Sequence, residues 1–293
     1  MESRREAEPT RWCKLDWGKG QTAMILLYLL VAAAYLAAAA LEWRRISQPS
    51  ALRSAQVAAI ARWLPAFALG GHAVLLVKAV VARDGVDLSL ANALSAVAGL
   101  AALFAWIGGL ARALPGVTAV TLPVAAIAVL LPPTFPNPHR FSLTDEPWAA
   151  MHIAVALIAY ALLIVAAVQA LVLMGLERRL HRGQTDPAAE ALPPLLTLER
   201  FLFRLVAVGY ILLTLTLLSG VLFSEELFGK PLTFTHKTVF SLLGWLVFGA
   251  LLLGRRRYGW RGRTALGWVL AGTGLLVVAY IGSKFVLEVL LGR

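Results

Sequence analysis

Histidine is the residue type with the clearest chemical potential in this chain of 293 amino acids, which has five. His152 lies about one turn into an apolar segment and His236 begins another, so we expect both at similar depth in a membrane. Neutral imidazole is a ligand for iron, copper, zinc and nickel, and two histidines on facing helices can hold a haem iron from both faces. The sequence therefore predicts His152 and His236 as axial haem ligands, with interhelical hydrogen bonding as the alternative role of each.

Three further residues are candidates for binding the same cofactor. His139 and Arg140 lie in the connection that precedes His152, and a basic side chain there could pair with haem propionates. His72 lies about ten residues from the end of its apolar segment, near the midplane of a bilayer, and is predicted as a deeper or transient site. His181 lies in a basic segment, where we expect a solvated loop residue.

The elements that hold these residues are apolar helices. Hydrophobic residues make up 59% of the chain and charged residues 15%, compared with ~45–50% and ~25% in soluble domains. Apolar stretches of about 18 or more residues recur along the chain, which is typical of a polytopic membrane protein. We predict an all-α bundle of about eight transmembrane helices, at Gln21–Leu41, Ile60–Val81, Leu88–Leu110, Pro115–Leu131, Trp148–Leu176, Phe201–Phe223, His236–Gly254 and Leu266–Leu291.

The fourth predicted span and the connection after it are the irregular parts of this bundle. The span Pro115–Leu131 is short and contains Pro123, so it could be a broken or re-entrant element. Residues 132–147 contain five prolines, which excludes a regular helix and predicts an ordered or lid-like loop.

The arginines predict the orientation of the chain in its membrane. In an eight-span bundle fifteen of them fall on one side, and the positive-inside rule places that side in the cytoplasm and both termini outside. The net charge of +11 therefore reflects topology and not nucleic-acid binding. Residues 1–23 are too basic for an outward terminus. One explanation is that they are a non-native extension, that Met24 is the start, and that residues 24–293 form a single transmembrane domain.

Several classes of site are excluded by the sequence. Cys13 is the only cysteine, so the chain has no intrachain disulfide, no CxxC pair and no all-cysteine metal site. It has no P-loop, HExxH, GxSxG or EF-hand loop. Because no nucleophile–base pair is visible, an enzyme is less expected than a binding protein.

Other polar residues in the spans leave a different function open. A transporter, or an accessory subunit that stabilises or regulates a partner without binding haem, would use Lys78, Lys284, Glu288, Glu225 and Glu226. Lys284 and Glu288 are four residues apart on one helix and can instead neutralise each other. We expect Lys78 and the uncharged polar residues of the spans to bond across helices; these are Gln169, Thr214, Thr216 and Ser219. Three tryptophans lie where an interfacial belt is expected: Trp43, Trp148 and Trp260.

The second half of the chain resembles a known family. The segment HIAVALIAYALLIVAAVQALVL (His152–Leu173) resembles the span that carries the first external haem-ligand histidine in the cytochrome c assembly family, which includes the CcsA, ResC and CcmC proteins and the HemX-like branch. Leu198–Gly229 resembles the next span, and His236–Arg263 the helix after the external loop. The resemblance covers residues 146–292 and is strongest to the HemX-like, YpjD-type inner-membrane subgroup.

The resemblance implies a haem-handling membrane protein of cytochrome c biogenesis or haem homeostasis. It implies haem as the cofactor. The implied partners are the lipid bilayer and either a membrane-protein partner or cytochrome c maturation components. His152 matches the first external ligand and His72 the histidine of an early span, whereas His236 is not predicted by the family's motif. The haem-presenting motif WGxYWxWDPKET is replaced by FGKPLTFTHKTV (Phe228–Val239), so the resemblance does not imply that the chain attaches haem to an apocytochrome.

Overall fold

The structure is a computed structural model and describes residues 11–47, 54–82, 85–87, 89–111, 114, 116–135, 140–141, 147–182, 194–222 and 236–282. Nearly all of these residues are helical. The helices are α1 (Arg11–Ser47), α2 (Ala55–Val80), α3 (Leu90–Leu110), α4 (Val117–Ala128), α5 (Leu131–Thr134), α6 (Pro147–His181), α7 (Leu195–Leu222), α8 (His236–Tyr258) and α9 (Gly262–Val277), which a π-helical turn (Val278–Gly282) extends.

Eight helical segments of the described chain are long and apolar enough to cross a membrane. Seven of them belong to α1, α2, α3, α6, α7, α8 and α9, and the remaining one is the α4–α5 segment Val117–Thr134. Each has at least 18 residues, and at ~1.5 Å per residue this matches a hydrocarbon core of ~30 Å. The predicted all-α polytopic bundle is therefore confirmed.

The helix ends differ from the predicted spans where polar residues extend an apolar helix. Helix α6 continues past Leu176 to His181, and α8 continues past Gly254 to Tyr258. Arginines in these last turns favour the extension because cations interact well with the negative end of a helix dipole. Helix α9 begins at Gly262, before the predicted Leu266. The predicted end of that span and the pair Lys284 and Glu288 lie outside the described residues.

The loop predicted at residues 132–147 is partly wrong, because its first residues are helical. Pro132 and Pro133 lie in the first turn of α5, where a proline removes no intrahelical hydrogen bond. Glu225 and Glu226 of the later connection lie outside the described residues, as does His139.

A small antiparallel sheet at one end of the bundle was not predicted. Strand β2 (Gly85–Asp87) pairs with β1 (Val81–Ala82) and with β3 (Arg140–Phe141). The sheet joins the connection after α2 to the connection after α5, so both lie at one end of the bundle. Helix α3 and the α4–α5 segment therefore run in opposite directions along the bundle. The fourth span is broken between Ala128 and Leu131, which is one of the two predicted alternatives.

The core is divided between the two halves of the chain. Tyr35 and Leu75 are buried in the first half, where α1, α2 and α4 pack, and Leu163 and Phe248 are buried in the second, among α6–α9. A third cluster between α3, α4 and α6 joins the halves. Helices α6 and α7 approach closely at Gly209, where a Cβ atom would stand 2.7 Å from Leu163.

Candidate functional site

His152 lies in the second turn of α6 and is half-buried against α7. Its Nδ1 atom lies 2.7 Å from Oγ of Ser219, near the end of α7. The Ser219 hydroxyl also donates a hydrogen bond to the carbonyl of Thr216 in its own helix, at 3.1 Å. Antiparallel packing of α6 and α7 brings these two distant parts of the sequence together.

If both contacts are hydrogen bonds at once, they select one tautomer of His152. A hydroxyl has one proton, and Ser219 uses it for the Thr216 carbonyl. Both bonds can therefore exist together only if His152 Nδ1 carries a proton and donates it to Ser219. The lone pair of the neutral ring then belongs to Nε2, which is the arrangement of many metal-ligating histidines.

The start of α8 lies close to this histidine. The ammonium group of Lys237 is near enough for its charge to interact with the His152 imidazole. A Cβ atom on Gly220 would stand 3.5 Å from Cε1 of His152, so the ring packs along the α7 backbone. The site is thus formed by the first turns of α6 and α8 and the last turn of α7.

His236 is the first residue of α8, next to Lys237, and its side chain is exposed. The structure therefore places His152 and His236 at the same end of the bundle, on different helices, as the sequence indicated. The pairing of their imidazoles on one iron stays a prediction. Among the described residues, no group of three or more His, Cys, Asp or Glu side chains could hold a metal ion.

Arg140 is at this end as well. Its backbone lies in β3, paired with Asp87, and a short connection leads from the strand to the start of α6. That connection, residues 142–146, can span no more than about 20 Å. His139 lies outside the described residues, and its role stays a prediction.

His72 has a different environment, near the middle of α2 and buried. Nδ1 of His72 shares a hydrogen bond of 3.0 Å with the Tyr35 hydroxyl of α1. Its Nε2 shares one of 2.8 Å with Ser95 of α3. Both ring nitrogens therefore link helices, and ligation of a metal would require the loss of one of these bonds. A mostly apolar pocket of about 360 Å³ lies beside the ring, between α2 and α3.

His181 is exposed, as expected, but the prediction of a loop residue is wrong. It lies in the last turn of α6, at the far end from His152, where Nδ1 bonds the Glu177 carbonyl at 2.8 Å. The ring satisfies a terminal carbonyl of its own helix. Its distance from the other histidines makes it a suitable control.

The polar residues of the spans follow the prediction in part. Ser219 bonds across helices, and so does Thr214, which accepts a hydrogen bond of 2.8 Å from Trp245 of α8. Thr216 bonds only within α7 in the contacts described, because its hydroxyl reaches the Leu212 carbonyl. Gln169 is fully buried, and neither polar atom of its side chain has a hydrogen-bond partner among the described residues.

Two of the three predicted belt tryptophans have exposed side chains, as a belt position requires. Trp43 and Trp148 are exposed. Trp260, in contrast, is only partly exposed, because its ring lies 5.2 Å from the ring of Trp268. Trp260 therefore packs against the core of the second half, whereas the sequence predicted a belt position for it.

Sequence reasoning did not identify Tyr35, Ser95 and Trp245 as hydrogen-bond partners. Hydroxyl and indole groups occur throughout these spans, and which of them meet depends on the rotation of each helix. No local pattern in the sequence encodes that rotation.

Comparison with known proteins identifies the family. The model of the cytochrome C assembly protein family matches residues 60–291, which run from within α2 to beyond α9. The chain belongs to this family. The resemblance seen in the second half is therefore confirmed, and the match extends into the first half.

The individual relatives agree with this assignment. Over 166 residues the chain is 35% identical to the inner membrane protein YpjD of Escherichia coli K12, covering 57% of this chain and 62% of the relative. Over 147 residues it is 42% identical to an uncharacterized 28.8 kDa protein of Azospirillum brasilense, covering 50% and 54%. It is 29% identical over 195 residues to the cytochrome c biogenesis protein CcsA of Synechococcus sp. RCC307, covering 57% and 63%.

The chain thus spans less than two thirds of the length of these curated relatives. No solved structure shows significant similarity to it.

Proposed function

We propose that this protein is a haem-handling inner-membrane protein of cytochrome c biogenesis or haem homeostasis. Its membership of the cytochrome C assembly protein family supports this role, as do the similarities to a CcsA protein and to an inner membrane protein. The proposed role is to bind or relay haem, or to stabilise a partner. Attachment of haem to an apocytochrome is not part of it, because the Trp-rich haem-presenting motif is replaced at Phe228–Val239.

His152 is the first axial ligand in this proposal, and its contact with Ser219 is the observation that carries it. When Nδ1 donates to the Ser219 hydroxyl, the lone pair of the His152 ring is on Nε2, and an iron ion would bind there. Haem iron accepts such lone pairs from imidazoles along its axis. The donor chemistry of the residues present therefore fits haem.

His236 is the second ligand in the proposal. It begins α8 beside Lys237, whose charge reaches the His152 ring. Its exposed side chain can move toward a bound group. Lys237 and Arg140 provide cations at this end of the bundle for the two propionate groups, because charge-assisted hydrogen bonds to carboxylates are among the strongest in proteins.

The end of the bundle that carries His152 faces outward in this proposal, and both termini lie on that side. The supporting observation is that the opposite end carries exposed arginines on α1, α6, α7, α8 and α9. Such arginine-rich ends are typical of the cytoplasmic side of a membrane.

Absorption spectroscopy of the purified full-length protein tests the function. The sample is titrated with haem in detergent, and the height of the Soret band is measured for the wild type, His152→Ala and His181→Ala. We expect a saturable band that His152→Ala reduces by most of its height and His181→Ala leaves unchanged. A colourless wild type after haem addition, or equal effects of the two substitutions, would contradict the proposal.

A further inference from the structure

Arg255 joins the end of α8 to the start of α7, on the side of the bundle opposite His152. Nη1 of Arg255 lies 3.0 Å from Oε1 of Glu199 and 3.0 Å from the carbonyl oxygen of Trp260. Its guanidinium group also lies over the ring of Phe203, 4.4 Å from the centroid. The last turn of α8 is therefore fixed to the first turns of α7.

The ends of α6 and α9 belong to the same assembly. Gly259 and Gly262 have φ angles of 66° and 55°, so the chain turns tightly from α8 into α9. A Cβ atom on Gly262 would stand 3.7 Å from Oε1 of Glu177, which places the start of α9 beside the end of α6. Trp260 packs on Trp268 between them. Four helix ends thus form one connected surface.

This surface carries a large excess of positive charge. Among its described residues the only acids are Glu177 and Glu199, and Glu199 is paired with Arg255. The other arginines are exposed. We name these nine residues the arginine platform: Arg178, Arg179, Arg182, Arg200, Arg204, Arg256, Arg257, Arg261 and Arg263.

We propose that the arginine platform binds the phosphate groups of anionic phospholipids. Its arginines lie at the ends of membrane-spanning helices, which is the depth of lipid headgroups. A guanidinium group can bind a phosphate through two parallel hydrogen bonds, and basic surfaces at helix ends attract anionic lipids. The charge complementarity and this depth favour a lipid over a soluble acidic peptide.

Lipid retention in nanodiscs tests the arginine platform and does not depend on haem binding. The full-length protein is reconstituted in phosphatidylcholine with a minor fraction of phosphatidylglycerol, and native mass spectrometry measures the ratio of the two lipids that remain bound. Arg256→Gln/Arg257→Gln removes two arginines from the last turn of α8. The matched control, Arg44→Gln/Arg45→Gln, removes two from the last turn of α1, where Glu42 already pairs with Arg45.

The wild type should retain phosphatidylglycerol in preference to phosphatidylcholine. Each arginine near a membrane surface contributes about a fivefold preference for anionic lipid. We therefore expect the α8 variant to lower the ratio at least tenfold, and the α1 control, in which Glu42 already pairs with Arg45, to lower it no more than about fivefold. Equal retention of both lipids by the wild type would overturn the proposal without any variant. Equal losses in the two variants would also overturn it.

Discussion

His72 and His152 are both histidines of membrane-spanning helices with a serine from another helix as partner, but their rings are held differently. His72 is buried at mid-helix, and hydrogen bonds to Tyr35 and Ser95 engage both of its nitrogens. His152 lies at the end of the bundle, half-buried, where Ser219 orients it through Nδ1. The ring of His72 therefore contacts two other helices through its two nitrogens, whereas the ring of His152 contacts α7 through Nδ1 and is the ligand in our proposal.

The difference follows from what each serine does with its proton. At His152 the serine hydroxyl also contacts a backbone carbonyl, and when it donates there it accepts from the ring, whose lone pair is then on Nε2. At His72 the ring lies between two hydroxyl groups that both link helices, so its polar atoms are satisfied inside the bundle. Burial with satisfied polar atoms is typical of a structural residue, whereas metal-ligating histidines typically have one ring nitrogen oriented by an outer partner.

Substitution of His72 gives the largest expected change in stability. His72→Leu leaves the hydroxyl groups of Tyr35 and Ser95 buried without a partner, at ~1–3 kcal/mol each. We expect the free energy of unfolding to fall by about 2–5 kcal/mol, with unchanged haem absorbance per folded protein. Thermal melting followed by tryptophan fluorescence, with His181→Leu as the control, measures the first effect. A wild-type melting temperature would contradict the linking role of His72, and a lost Soret band in folded protein would assign His72 to haem binding.

Substitution of Ser219 tests the orientation of His152. Ser219→Ala removes the group that holds the proton on Nδ1, and loss of such outer partners typically weakens metal affinity 10–100-fold. We expect a weakening of haem affinity in this range, measured by titration of the Soret band, while Ser219→Thr retains the hydroxyl and most of the affinity. Ser95→Ala is the matched substitution in the His72 site and should leave haem affinity unchanged. Equal affinities in Ser219→Ala and Ser95→Ala would remove the contrast between the two sites.

A glycine beside His72 gives the smallest effect. A Cβ atom on Gly99 would stand 3.1 Å from Cε1 of the buried ring, whereas a Cβ atom on Gly70 would meet nothing within 4 Å. Because alanine favours a helix by about 1 kcal/mol over glycine, Gly70→Ala should be neutral or stabilising. Gly99→Ala should lower the free energy of unfolding by about 1 kcal/mol relative to Gly70→Ala. Identical melting curves for the two variants would show that the His72 ring is less tightly held than described.

The sequence predicted the eight spans because hydrophobic length is a direct requirement of the bilayer. It also placed His152 and His236 at one end of the bundle, since depth follows from position along a helix. It did not predict the pairing of β2 with β3, because two- and three-residue strands have no periodicity to detect. Nor did it predict the partners of His152 and His72, which depend on helix rotation and not on depth.

Electron paramagnetic resonance of the ferric, haem-loaded protein tests the central claim most directly, because it reports the axial ligands of the iron. The account predicts a low-spin spectrum of bis-imidazole type in the wild type and in His72→Ala. In His236→Ala it predicts conversion to high spin, with one imidazole remaining on the iron. A low-spin bis-imidazole spectrum that survives in His236→Ala, or is lost in His72→Ala but not in His152→Ala, would contradict it.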